Sequence, residues 1–305
     1  MDAAREVRRT ALLAQVDVFT AEPFAGNPAA VVLDAHAIPE AALGRIGAEM
    51  SLPATAFVTA ATQPGADLGL RWFTPSGAEL TFCGHATLAA AHVLLEQGRL
   101  RADRITFATR AGLLTVTASA GDAGRLLWLE PRVPGWTAAT EPLAPVLEAL
   151  GLAPERVGAW ARPARTSERD LLIPVAGLHV LESLTPDLRR LGQLGLAGDL
   201  RGVALVARET IEPGSLTHTR FFAPAVGIPE DPASGSVHAA LGVWLGESGL
   251  LRAAGDVTAF RAEQGDFLGR PGRLAVEVHL AGGVVRRVRV GGQAVTVLSG
   301  ALHCP

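Results

Sequence analysis

Short apolar runs separated by turn residues fill the first third of the chain. Residues 14–19 and 29–33 read as strands joined through Pro23-Phe24-Ala25-Gly26-Asn27-Pro28. Residues 39–50 place apolar side chains at helical spacing behind Pro39, which predicts a helix with proline in its first turn. Strands at about 55–60 and 68–74 follow. Residues 84–97 are alanine- and leucine-rich and apolar almost all round, the pattern of a helix buried on every side. Three further strands are expected near 104–107, 112–118 and 125–129. Pro131, Pro134 and Gly135 then break the pattern, so a boundary is placed there. It divides the chain into an N-terminal lobe, 1–130, and a C-terminal lobe, 131–305, with the last strand free to return to the first lobe.

The pattern repeats. Arg71-Trp72-Phe73-Thr74-Pro75 recurs as Arg220-Phe221-Phe222-Ala223-Pro224, and each is followed by a glycine that opens an alanine-rich helix, Gly84-His85-Ala86 and Gly235-Ser236-Val237. The offset is about half the chain, which predicts two lobes of like design. Chance recurrence in an alanine-rich composition is the alternative.

Composition narrows the chemistry. With 305 residues, 49% hydrophobic and 19% charged, the chain is globular and long enough for two cores. A net charge of −3 without a basic block gives no footprint for nucleic acid. There is no lysine, so all 27 basic residues are arginine and Schiff-base, pyridoxal and Walker-type chemistry have no anchor. The two cysteines, Cys83 and Cys304, suit neither a disulfide framework nor a metal pair, and a cytoplasmic location is expected. The apolar stretch after Arg5, Arg8 and Arg9 is interrupted by Gln15 and Asp17, too soon for a signal peptide, and no run is long enough for a membrane span. Eight scattered histidines without an HxxxH pair predict no metal site, and His36, His218, His279 and His303 are read as surface residues. No GxGxxG follows a strand, and Ser234-Gly235-Ser236 lacks the spacing of a nucleophile elbow.

The two helix starts are where chemistry is expected. A helix N-terminus concentrates unpaired N–H groups and partial positive charge, fit to hold a carboxylate or a developing enolate. The first start supplies Cys83, Gly84 and His85, with Glu79 upstream; the second supplies Glu230, Asp231, Ser234, Gly235 and Ser236, with His238 in the first turn. Plainer readings stand beside these: Ser234 and Asp231 as helix caps, Cys83 as a small buried hydrophobe. His85 at a helix start favours the neutral imidazole, suited to proton relay.

Those residues resemble the phenazine biosynthesis PhzF-like family, whose fold is shared with diaminopimelate epimerase. The resemblance runs over nearly the whole chain. It rests on Asp17-Val18-Phe19-Thr20, Phe24-Ala25-Gly26-Asn27-Pro28, Met50-Ser51-Leu52 through Thr55-Ala56-Phe57-Val58, the two repeated segments, and Glu263-Gln264-Gly265 with Gly269-Arg270-Pro271. It implies an α+β fold of two pseudo-symmetric lobes, each a curled, mostly antiparallel sheet around a central helix, with the active site between them and no cofactor. It also implies a homodimer and a cofactor-independent isomerase or epimerase that shifts a proton on a small carboxylate-bearing substrate. The repeated helix starts and the resemblance together give the expectation that Asp231 and His85 manage protons, that Asn27 and Ser236 hydrogen-bond substrate, and that the helix starts at Gly84 and at Ser234-Gly235 hold negative charge. The family's glutamate after Met-Ser-Leu is replaced here by Ala54, while Cys83 stands where cofactor-independent epimerases carry their first thiol. A Cys83–Asp231 pair relayed by His85 and a ligand-binding protein with impaired turnover are the alternatives this departure opens.

Overall fold

A computed structural model describes residues 10–100, 103–121, 124–251 and 255–304; Arg5, Arg8 and Arg9 lie outside them. By contact density the chain forms two units, the first of residues 1–24, 28–129 and 293–305, the second of residues 25–27 and 130–292.

The first unit opens with β1 (Thr10–Val18), β2 (Asn27–Val32, whose first residue groups with the second unit) and α1 (Glu40–Met50), followed by β3 (Thr55–Ala60), β4 (Leu68–Phe73) and β5 (Glu79–Leu80). Next come α2 (Gly84–Glu96), β6 (Arg104–Thr109), β7 (Gly112–Gly121) and β8 (Gly124–Leu129). Strand β2 pairs parallel with β3, β3 antiparallel with β4, β4 antiparallel with β5 and parallel with β6, and β6–β7–β8 run antiparallel. Val32 on β2, Phe57 on β3 and Phe73 on β4 point to one face, where α1 covers them with Ala42, Leu43 and Ile46. Helix α2 buries Ala86, Leu88, Ala89, Ala90, Val93 and Leu94, and packs on β1, β3, β7 and β8. Its all-round apolar sequence is therefore matched by an all-round apolar environment.

The second unit contains β9 (Trp136–Ala138), α3 (Ala144–Ala149), β10 (Ala164–Thr166), β11 (Asp170–Pro174), α4 (Leu178–Glu182), α5 (Leu188–Ala197) and β12 (Gly202–Ala207). It continues with β13 (Ser215–Ala223), β14 (Ile228–Asp231), α6 (Gly235–Glu247), β15 (Val257–Gln264), β16 (Gly272–Ala281) and β17 (Val284–Gly292). Its pairing repeats that of the first unit step for step: β11–β12 parallel, β12–β13 and β13–β14 antiparallel, β13–β15 parallel, then β15–β16–β17 antiparallel. Alternation sorts the two faces of this sheet. Leu172, Ala204, Val206 and Phe221 meet α6 through Val237, Leu241, Trp244 and Leu245, while Leu171, Ile173, Val203, Leu205 and Phe222 meet α3, α4 and α5. The last strand, β18 (Ala294–His303), belongs to the first unit and pairs antiparallel with β1, Thr10 opposite His303.

The architecture is the α+β arrangement of two like units, each with a mostly antiparallel sheet and a central helix. One reading of the sequence is corrected. His218 is not on the surface: it lies on β13, wholly buried, with Nδ1 3.0 Å from Glu263. The Glu263 carboxylate also accepts from the backbone N–H groups of Ile211 and Glu212. Burial works against its charge, but His218 and these donors outweigh it and hold Glu263 down at about 2. A histidine whose charge partner is forty-five residues away cannot be told from an exposed one by composition.

Candidate functional site

The second helix start is a network rather than a capped end. Ser234 occupies the N-cap position with extended backbone, yet its side chain caps nothing. Its hydroxyl donates instead to Asp231 Oδ2, while Asn27 Nδ2 donates to Asp231 Oδ1 at 2.7 Å and to the Ala233 carbonyl at 2.8 Å. Gln264, at the end of β15, ties the turn from the other side: its Nε2 donates to the Asp231 carbonyl at 2.5 Å and its Oε1 accepts from the Ser234 N–H at 3.0 Å. Gly265 follows with φ +94, and a Cβ there would lie 2.4 Å from the Pro232 carbonyl, so the chain can press on the Asp231–Ser234 turn only as glycine. The first turn of α6 thus presents backbone N–H groups that no side chain caps, beside a fixed carboxyl.

Burial dominates the electrostatics of that carboxyl. Loss of water pushes Asp231 up to about 6, against the downward pull of Ser234, Asn27 and the Arg201 guanidinium. At about 6 it is mostly ionised at neutral pH, yet close enough to its midpoint to take a proton and give it back. Its neighbour Glu230 is not free to act: Arg220 clamps it through Nε at 2.8 Å and Nη2 at 2.9 Å. His238 is also committed to structure, its Nδ1 donating to the Ser234 carbonyl at 2.9 Å; burial holds it down at about 4 and therefore neutral. Asn27 Oδ1 is buried with no hydrogen-bond partner, an acceptor left open beside the carboxyl.

The first helix start is built on the same plan. Cys83 occupies the N-cap position with its side chain making no cap, and Thr87 Oγ1 donates to the Cys83 carbonyl at 2.6 Å, as His238 does to Ser234. Cys83 is buried, with Sγ 3.6 Å from His85 Nδ1. Burial pushes His85 down to about 4, partly opposed by the nearby Pro28 carbonyl, so the imidazole is neutral at pH 7, and its Nε2 is buried with no hydrogen-bond partner. Ala54 is wholly buried at the foot of β3, its carbonyl accepting from the Ala30 N–H at 3.0 Å. Glu79 is held by Arg71 at 2.7 Å and Arg110 at 2.9 Å, which keep it below the usual carboxylate range, so it is an ion-pair member and no proton carrier.

Asn27, Asp231, Ser234 and Gly235 are thus gathered at one helix start, and Cys83, Gly84 and His85 at the other. The reading of Ser234 as an ordinary cap is corrected: its hydroxyl serves Asp231. Two participants escape sequence reasoning. Gln264 was visible only as part of a motif, and Arg201 not at all; its Nη2 donates to Ser236 Oγ at 3.1 Å. The signal that could have found it is the repeat itself, because Arg201 stands at the foot of β12 as Pro53-Ala54 stand at the foot of β3. Among the described residues no group of His, Cys, Asp and Glu is arranged to hold a metal, and no helix is long and apolar enough to cross a membrane.

Comparison with known proteins agrees with this construction. An uncharacterized isomerase of Deinococcus radiodurans is 36% identical over 295 residues, covering 94% of this chain and 93% of its own. The crystal structure of a Bacillus anthracis PhzF-family protein matches with a TM-score of 0.87 at 24% identity, over 96% of this chain and 99% of that one. A predicted epimerase from Pseudomonas aeruginosa matches with a TM-score of 0.75 at 27% identity, over 97% of this chain and all of that one. The model of the PhzC-PhzF family, described as phenazine biosynthesis-like protein, matches residues 16–300, and the chain belongs to that family.

Proposed function

We propose that the protein is a cofactor-independent isomerase or epimerase that moves a proton on a small carboxylate-bearing substrate. The observation that carries this reading is the Asp231 carboxyl, poised at about 6 by burial, beside a helix start whose N-cap side chain is diverted from capping. Amide groups there would hold the substrate's negative charge as it develops, and Asp231 would exchange the proton. The open acceptor of Asn27 and the hydroxyl of Ser236 suit the polar groups of such a substrate. His85, neutral and beside Cys83, is assigned the second proton-handling role. Relatives named as isomerases support the reaction class.

The test is direct. Incubation with a panel of hydroxy acids, amino acids and unsaturated diacids in D₂O should place deuterium at carbon in at least one, with the rate falling as pH drops through about 6. Absence of exchange in every carboxylate that the protein binds would overturn the reading.

Ala54 favours a second one. A methyl group where the family carries its base, buried and without polar contact, suits a ligand-binding protein with little turnover. That reading predicts thermal stabilisation by a carboxylate ligand without chemical change, and activity gained in Ala54→Glu. Turnover by the parent protein sinks it.

A further inference from the structure

Beneath Ser236 lies a buried ion pair that the proton-transfer reading does not use. Asp170, the first residue of β11, is wholly buried, and Arg201, just before β12, forks onto it: Nε donates to Oδ1 at 2.8 Å and Nη2 to Oδ2. The two strand starts are adjacent, Asp170 opposite Gly202 in a parallel pair, so the backbone fixes the meeting. The Phe221 ring backs the guanidinium, with Cζ 5.5 Å from its centroid. A Cβ on Gly202 would lie 2.5 Å from the same ring, so the aromatic layer requires glycine there. From this seat Nη2 reaches Ser236 Oγ at 3.1 Å. A buried pair held so firmly is a costly feature if its task is stability alone, since a hydrophobic pair of the same volume often serves as well.

We infer that Arg201 is a positioning residue for the reaction, held by Asp170 so that it turns the Ser236 hydroxyl into a committed donor and sets a positive charge beside the Asp231 carboxylate. This rests on the reading of Asp231 as the proton-handling group. Ser236 Oγ accepts from Arg201, which leaves its own O–H to be given to an anion at the helix start. Asn27 and Ser234 meet Asp231 as neutral donors, Glu230 stands next along β14 with its charge met by Arg220, and Arg201 is the cation whose charge favours the ionised form. Asp170 in turn helps keep Arg201 charged: burial opposes the charge, and the carboxylates of Asp170, Glu168 and Asp231 together outweigh it, while burial pushes Asp170 itself up against the pull of Arg201.

Two arms test the inference. The first titrates carboxyl carbons by NMR in protein labelled at aspartate, with the Asp231 resonance identified by its loss in Asp231→Asn. The wild-type midpoint should lie near 6. Arg201→Gln alone would strand the Asp170 carboxylate, so the double variant Arg201→Gln, Asp170→Asn is used, its fold verified from the amide spectrum. Its Asp231 midpoint should rise by about half a unit or more, whereas Arg201→Lys, which keeps the charge, and Ser236→Ala should leave it in place. The second arm measures binding of pyrrole-2-carboxylate, a planar carboxylate probe, by calorimetry. The double variant and Ser236→Ala should each lose about tenfold, and combining them should add little, because both remove the same donor. Arg201→Lys should lose affinity through its lost fork while its midpoint stays, a split that a purely structural role does not give. An unmoved midpoint in the folded double variant overturns the inference. If no carboxylate undergoes exchange in D₂O but the midpoint moves, the proton-transfer reading fails and the influence of Arg201 on Asp231 stands.

Discussion

At the start of α2, Thr87 closes the first turn onto the Cys83 carbonyl; at the start of α6, His238 does the same to Ser234. Five residues before each helix glycine stands a glutamate clamped by the arginine that opens the repeated segment, Arg71–Glu79 in one unit and Arg220–Glu230 in the other. The frame is therefore duplicated down to its hydrogen bonds, and the differences fall on a few positions. Leu80 in the first unit stands where Asp231 stands in the second, and Cys83 and His85 where Ser234 and Ser236 stand. A repeated scaffold places equivalent helix ends, and substitution at these three positions gives one a buried carboxyl and the other a thiol beside a neutral imidazole.

The two helix starts differ most at Asp231, which has no ionisable counterpart in the first unit. If Asp231 exchanges the proton as proposed, Asp231→Asn, which keeps the shape, should lower deuterium exchange by about 10²–10⁴-fold. The same substitution should flatten a pH dependence of stability. Because the folded-state value lies above the ordinary 3.8, the contribution of this carboxyl is full below pH 4 and is lost as pH rises through about 6. Denaturant melts at pH 4 and 7 should show the wild type losing about 2–3 kcal/mol from this group, a loss missing in Asp231→Asn. Glu263 runs in the opposite sense. Held at about 2, it contributes stability above the unfolded carboxylate value and loses it as pH falls toward 2.

The duplicated ion pair is more deeply buried in the second unit than in the first. Arg220 and Glu230 expose 9% and 12% of their side chains, against 28% and 16% for Arg71 and Glu79. Arg71 also has Glu40, which accepts from both of its Nη atoms at 2.6 Å, whereas the further acceptor of Arg220 is the Leu181 carbonyl. Glu230→Gln should therefore cost about 3 kcal/mol in denaturant melts and Glu79→Gln about 1 kcal/mol, since a buried cation left unpaired is the expensive case. Equal costs would show that the second clamp is no more buried in energetic terms than the first.

Much of the frame was legible because periodicity survives wherever elements are long. The helices at 84–97 and 39–50 and the strands of the first unit follow their apolar pattern to within a few residues. The stretch from Pro142 to Ala207 offered little to read, because α3 and α4 have six and five residues and six prolines interrupt residues 131–163. Asp231, Ser234 and Asn27 could be named from the repeat and the motif. That Ser234 serves Asp231 rather than its helix, and that His218 is buried against Glu263, depend on partners distant in sequence. Arg201 was the least visible, since an arginine before a strand is ordinary until Asp170 and Ser236 are brought to it.

The smallest expected effect lies inside the central helices. Counted from the paired glycines, Gly242 of α6 stands where Ala91 of α2 stands, and both are buried. A Cβ at Gly242 would meet Val276 at 2.9 Å and Val278 at 3.1 Å, tips of two stiff β-branched side chains on β16, so the helix sits closer to its sheet than an alanine allows. Gly242→Ala therefore gains about 1 kcal/mol of helix propensity and pays overpacking of about 1–3 kcal/mol, a net loss of up to about 2 kcal/mol. Ala91→Gly loses propensity and a buried methyl together, about 1–2 kcal/mol. Adding Val276→Ala to Gly242→Ala separates the two causes. If close packing is what excludes the methyl group, Gly242→Ala should cost less in the Val276→Ala background than alone; an unchanged cost in thermal melts would place the strain elsewhere in the helix.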